Sequence, residues 1–149
     1  MPNWIEGTMK VRGAAQSIAT FLENAFDAAV SKHTYASDIE YSLQDWTYIK
    51  GSRRAFVWGN IDCYVDFSKN PKIVTIPIKQ AWSFTPHDGA EKRWISLSKE
   101  YSVDIRLQGF ECGMEFYQDL EITNGEITID KVIQYDNWDW ECPMPRLGG

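Results

Sequence analysis

Alternation of apolar and polar residues is the first pattern in the chain. Over residues 4–12, Ile5, Gly7, Met9 and Val11 fall on one parity and Trp4, Glu6, Thr8, Lys10 and Arg12 on the other. That spacing predicts a half-buried strand, ended by Gly13. The period then changes: Ile18, Phe21, Leu22, Ala25 and Phe26 recur at helical spacing, which predicts a helix over residues 14–29 laying one apolar stripe on a sheet. Residues 30–44 are polar and weakly patterned and read as a loop or irregular crossover. Short strands are expected at 46–50, 55–58 and 61–67, punctuated by Gly51-Ser52 and Gly59-Asn60. Ile73, Val74, Ile76 and Ile78 predict another strand, in which Pro77 lacks a ladder donor and points to an edge or a bulge. Thr85-Pro86 marks the start of a second helix, carried by Trp94, Ile95, Leu97 and Ser98 to about Tyr101. Strand character resumes at 103–110 and continues through a hairpin to a last segment ending Trp138-Asp139-Trp140-Glu141.

The hairpin has a defined register. Met114, Phe116, Leu120 and Ile122 alternate with Glu115, Tyr117, Asp119 and Glu121, and Asn124-Gly125 suits a type I′ turn because both central residues tolerate positive φ. Pairing Thr123 with Glu126 then sets Glu121 opposite Thr128 and Asp119 opposite Asp130. The element order predicts one domain over residues 1–149 of the α+β class. The expected architecture is a ferredoxin-like split βαβ sandwich: an antiparallel sheet, two helices on one face and an added C-terminal acidic β-hairpin.

Charge sharpens this picture. The chain of 149 residues carries a net charge of −6, and the imbalance is local: residues 111–141 hold nine acidic residues against one basic, Lys131. Like charges opposed across a sheet cost roughly 0.2–1 kcal/mol, so a hairpin that keeps them presents negative charge to something basic: a nucleic-acid-binding protein, a cation or an arginine-rich groove. The candidate contact residues are Glu115, Tyr117, Asp119, Glu121, Glu126 and Asp130, extended by Asp136, Asp139 and Glu141, with Tyr117 as an aromatic anchor. The plain alternative is a solvated face that confers solubility. Trp138 and Trp140 share one face at strand spacing, and core packing is expected of them.

Three cysteines, Cys63, Cys112 and Cys142, form no CxxC pair and are odd in number, which argues against a disulfide framework. With His33 and His87 they are residue types that would hold a structural zinc if they converged, although no spacing asks for it, and no cofactor is expected. No apolar run is long enough for a membrane span and no signal peptide is evident, so a cytoplasmic protein is expected. GxSxG, P-loop and HExxH motifs are absent, as are the spaced His-x-Thr pairs of double-histidine phosphoesterases, so catalysis is not expected. Arg53-Arg54-Ala55-Phe56-Val57-Trp58 has a likeness to the basic-aromatic strand of RNA-recognition motifs, and a nucleic-acid-binding module is the alternative. Against it, the first strand lacks a stacking aromatic and the overall charge repels phosphate.

Several stretches carry a family resemblance. The opening Met1-Pro2-Asn3-Trp4, with its strand ending Val11-Arg12-Gly13, resembles the YubB-type ferredoxin-like proteins of phages, prophages and plasmids. Arg53-Arg54-Ala55-Phe56 leading into Gly59-Asn60-Ile61, Ala81-Trp82, Gly113-Met114-Glu115-Phe116 and the close Trp140-Glu141-Cys142-Pro143 to Leu147-Gly148-Gly149 resemble small phage proteins of Gram-positive hosts. The resemblance implies the fold and a mobile-element origin, in a family largely without assigned activity. That origin, joined to the acidic hairpin, leads to the expectation of an inhibitor of a host defence nuclease. The expected form is an anti-CRISPR protein that binds a type II RNA-guided nuclease and blocks nucleic-acid loading. A phage accessory protein of other function is the remaining alternative.

Overall fold

The structure is a computed structural model describing residues 2–85 and 90–149. Its elements are β1 (Trp4–Gly13), α1 (Ala15–Asn24), β2 (Ser31–Thr34), β3 (Asp38–Leu43), β4 (Ala55–Val57), β5 (Ile61–Asp66), β6 (Lys72–Ala81), α2 (Ala90–Tyr101), β7 (Asp104–Glu111), β8 (Phe116–Thr123), β9 (Glu126–Gln134) and α3 (Trp138–Glu141). They form an α+β protein with two antiparallel sheets, one of six strands in the order β4-β6-β1-β7-β8-β9 and one of three in the order β2-β3-β5. The expected helix start at Pro86, and His87 among the zinc candidates, lie outside the described residues.

Parity decides the two faces of the large sheet. Ile5, Met9, Val11, Ile76, Ile78, Ile105, Leu107, Leu120 and Ile122 turn inward and are buried with Ile18, Phe21 and Leu22 of α1 and Trp94 and Leu97 of α2. Both helices therefore cover one face, and they meet edge-on through Phe21 and Tyr101, with ring centroids 5.7 Å apart. Gly7 pairs with Gly109 on this face, where a Cβ on Gly109 would come within 2.9 Å of the buried Phe84 ring. Tyr41, Leu43, Cys63 and Val65 of the small sheet join the same apolar cluster.

Four sequence expectations are corrected. The first helix stops at Asn24, not 29, because Phe26 leaves the helical path to bridge Ile49 and Asp27 N–H donates to Tyr48 O at 3.0 Å. Residues 30–44 contain β2 and β3; Ile39, Tyr41 and Leu43 alternate inward, a signal masked by the polar residues between them. Residues 46–50 make no regular strand and instead join β4 through a bridge between Tyr48 and Phe56. Pro77 lies on an interior strand. Its carbonyl accepts from Trp58 N–H at 3.0 Å, so its polar edge faces β4; having no N–H to return to Trp58, it ends the ladder there, just past the three-residue β4.

The chain end returns to its beginning: Gly149 N–H donates to Trp4 O at 2.9 Å and Gly148 N–H to Glu6 Oε2 at 3.0 Å. Among the described residues, no helix is long and apolar enough to cross a membrane.

Candidate functional site

Asn124 and Gly125 both have positive φ, 52° and 72°, and Thr123 pairs with Glu126 as the turn chemistry requires. Beyond Ile122↔Ile127 the register shifts by one. Thr128 is the extra residue of a β-bulge; its hydroxyl donates to Glu121 Oε2 at 3.1 Å and lies 3.3 Å from the Thr123 hydroxyl. The slip moves every later pairing. Asp119 stands opposite Lys131 and Asp130 opposite Leu120, so the two carboxylates do not face each other.

Asp119 is also not a surface charge. It is 7% exposed and receives Arg106 Nε at 3.0 Å and Nη2 at 2.7 Å, a bidentate pair that also holds the guanidinium above its ordinary pKa. Two further carboxylates of the acidic run serve the backbone. Buried Glu111 accepts from Gly113 and Met114 N–H at 2.6 and 2.8 Å, and Glu141 accepts from Asp136 and Asn137 N–H at 3.0 and 3.3 Å. Tyr117 is half-buried, its hydroxyl accepting from Gln108 Nε2 at 3.0 Å and its ring 5.0 Å from Phe110, so it is no free anchor.

The remaining candidates divide. Glu121 and Glu126 share the outer face of the sheet; Asp130, paired with Leu120, projects to the helix side beyond the helices' cover. Glu115 sits exposed in the 112–115 turn at φ 59°, Asp136 is exposed just before α3 and Asp139 is exposed within it. Trp138 and Trp140 do not share a strand face, because Asn137 accepts Trp140 N–H and starts a helical turn. Trp138 is 8% exposed and donates to Pro145 O at 2.9 Å, while Trp140 is 87% exposed.

What the hairpin does present is an edge. β9 spans nine residues at the end of the sheet, and none of them is buried. Tyr135 N–H donates to Glu115 O at 2.9 Å, so alternation directs the N–H and C=O of Asp130, Val132 and Gln134 away from β8 to the open side. Val132 is 55% exposed there, and Ile127 is exposed nearer the turn.

The opposite side of the sheet carries a feature that sequence reading missed as a unit. Every second residue of the 46–58 hairpin, apart from Ser52 at its turn, is aromatic or cationic: Trp46, Tyr48, Lys50, then Arg54, Phe56, Trp58. Trp46 stacks on Phe56 at 4.6 Å and 11°, Tyr48, Trp58 and Trp4 meet Phe56 edge-on, and Lys79 Nζ lies 3.8 Å from the Trp58 ring centroid. Trp46 adopts φ 67°, held by Asp45, whose Oδ1 accepts from Trp46 and Gly59 N–H at 3.1 and 2.7 Å. The alternation was legible, but the two legs were read as separate strands. On the same outer face lies a shallow cavity of about 170 Å³ lined by Lys10, Arg12, Asp104, Arg106 and Glu121.

A second acidic surface was also missed. On the outer face of the small sheet Asp38 opposes Asp66, and Glu40 opposes Tyr64 and His33. Tyr35 donates to Glu40 at 3.0 Å, a bond that pushes the phenol pKa up. Among the described residues, no group of three or more His, Cys, Asp or Glu is arranged to hold a metal ion. Burial pushes the Cys63 thiol up to about 11.

Comparison with known proteins finds no matching family model, no matching curated protein and no matching solved structure, so the family resemblance rests on the residues alone.

Proposed function

We propose that this protein acts by binding another protein, as a stoichiometric inhibitor of a host defence nuclease, and that the β9 edge is where the partner docks. The observation carrying this reading is the open edge of Asp130, Val132 and Gln134, flanked by exposed Glu115, Glu126, Asp130 and Asp136, with Lys131 the one cation of residues 111–141. Unpaired backbone groups recruit an extended strand, and the carboxylates around them favour a basic one. Basic segments of that kind line the grooves with which nucleic-acid enzymes neutralise phosphates. Asp119 and Tyr117 support the hairpin from within and are not contact residues in this reading.

The phage and prophage resemblance supports an anti-CRISPR role in the bacterial cytoplasm, against the type II RNA-guided nuclease, by blocking nucleic-acid loading. The antiparallel order β4-β6-β1-β7, with α1 after β1 and α2 after β6, supports a ferredoxin-like split βαβ core within the larger sheet. The test is a DNA-cleavage assay with a type II nuclease and its guide, adding this protein before or after target DNA. Inhibition only when it is added first supports competition with loading. Full cleavage at large molar excess refutes that target.

A further inference from the structure

A net charge of −6 repels a nucleic acid only where the charge lies, and in the folded chain it is segregated. The sheet order places β9 and its carboxylates at one edge and β4 at the other. Residues 46–58 contain Lys50, Arg53 and Arg54 and no carboxylate. Lys50 and Arg53 are exposed and make no ion pair among the described residues. Acids border this region and accept hydrogen bonds: Asp45 from two backbone N–H groups, Asp27 from Gly51 N–H at 3.3 Å, and Glu6 from Gly148 N–H, with Lys79 at 3.5 Å from Glu6.

We infer that the outer face of the sheet at its β4 side binds single-stranded nucleic acid, with a base stacked on Trp46 and phosphates held by the cations around it. One face of the Trp46 ring is fixed against Phe56, and Trp58 meets the ring edge-on at 5.7 Å, while the residue remains 55% exposed, which leaves a rigid π-surface for a base. Stacking of this kind accepts any base. The backbone can leave this platform in two directions along cations. One is the turn bearing Lys50 and Arg53. The other crosses Pro77 and Thr8, which are paired beside Trp58, to Lys10 and Arg12 at the cavity, the step from Thr8 to Lys10 being about 7 Å. Arg12 is partly occupied by Asp104 at 2.8 Å, whereas Lys10 is exposed and makes no ion pair among the described residues. The C-terminal residues lie against Trp4 and Glu6 and leave the Lys10 end open.

The test is fluorescence anisotropy of a short labelled oligonucleotide, as single-stranded DNA, single-stranded RNA and duplex, with this protein alone and with salt varied. Because no nuclease is present, the outcome is independent of the inhibitor proposal. The expected result is single-strand binding in preference to duplex, with a log–log salt slope of about −0.7 per phosphate contacted. Trp46→Ala should weaken it by about tenfold. Arg53→Glu, at an exposed turn position, should weaken binding and flatten the salt slope, and it decides the matter alone if Trp46→Ala does not fold. Absence of binding at low salt, equal affinity for duplex, or wild-type affinity in Arg53→Glu would overturn the inference; DNA and RNA binding alike support it.

Discussion

Reversing charge at Asp119 should destabilise the fold and not merely alter its surface. The side chain accepts two bonds from Arg106 and faces Lys131 across the strand pair, so Asp119→Lys sets three cations together. Removing one partner of a buried pair costs about 3–5 kcal/mol. The Arg106 side chain is 38% exposed, so water screens part of that loss and about 1–2 kcal/mol is retained. Like-charge opposition adds roughly 0.2–1 kcal/mol. A total near 2 kcal/mol, divided by a urea m-value of about 2 kcal/mol/M, lowers the midpoint by about 1 M. Urea titration followed by tryptophan fluorescence reads it. Glu126→Lys, an exposed residue with no ion pair among the described residues, is the control and should stay within about 0.5 kcal/mol of wild type. An unchanged midpoint for Asp119→Lys would refute the assignment of Asp119 to the structural pair.

Three further outcomes are expected. Ser98 is buried, donates to Val103 O at 2.6 Å and accepts from Gly125 N–H at 3.1 Å, tying the turn to α2; Ser98→Ala should cost about 1–3 kcal/mol in the same titration. Trp138→Ala should cost about 3–5 kcal/mol and Trp140→Ala less than about 0.5, since only the first is buried. With its folded pKa raised from 9.0 to about 11, Cys63 should resist a thiol reagent at pH 8 while half-buried Cys112 reacts, and its contribution to stability, full below pH 9, should be lost as pH rises from 9 towards 11. Labelling followed by peptide mapping, and melting temperature against pH for wild type and Cys63→Ala, check the two halves of that statement.

The strands that alternate cleanly, such as residues 4–12 and 103–110, were legible because one parity is apolar throughout. So was the Asn124-Gly125 turn, where positive φ admits few residue types. β2 was not, since none of its residues is buried, and β3 hid behind charged outward positions. The hairpin pairing failed for a sharper reason. A bulge changes parity without leaving a hydrophobic trace: Ile127 and Ile129 look equivalent in sequence, yet one pairs with Ile122 on the inner face and the other with Glu121 on the outer. Counting charge likewise did not reveal that Glu111, Asp119 and Glu141 are engaged by N–H groups and a guanidinium. The acidic run marked the right edge of the molecule and the wrong property of it, because the backbone exposure of β9 depends on its neighbours and not on its own residues.

Amide hydrogen exchange of the intact protein, alone and mixed with the type II nuclease, tests the docking edge most directly. Slower exchange at Asp130, Val132 and Gln134 on mixing, with Ile133 already protected in the free protein, is the predicted result. If the complex forms and those three amides exchange as fast as before, the partner does not bind at β9 and the account is contradicted.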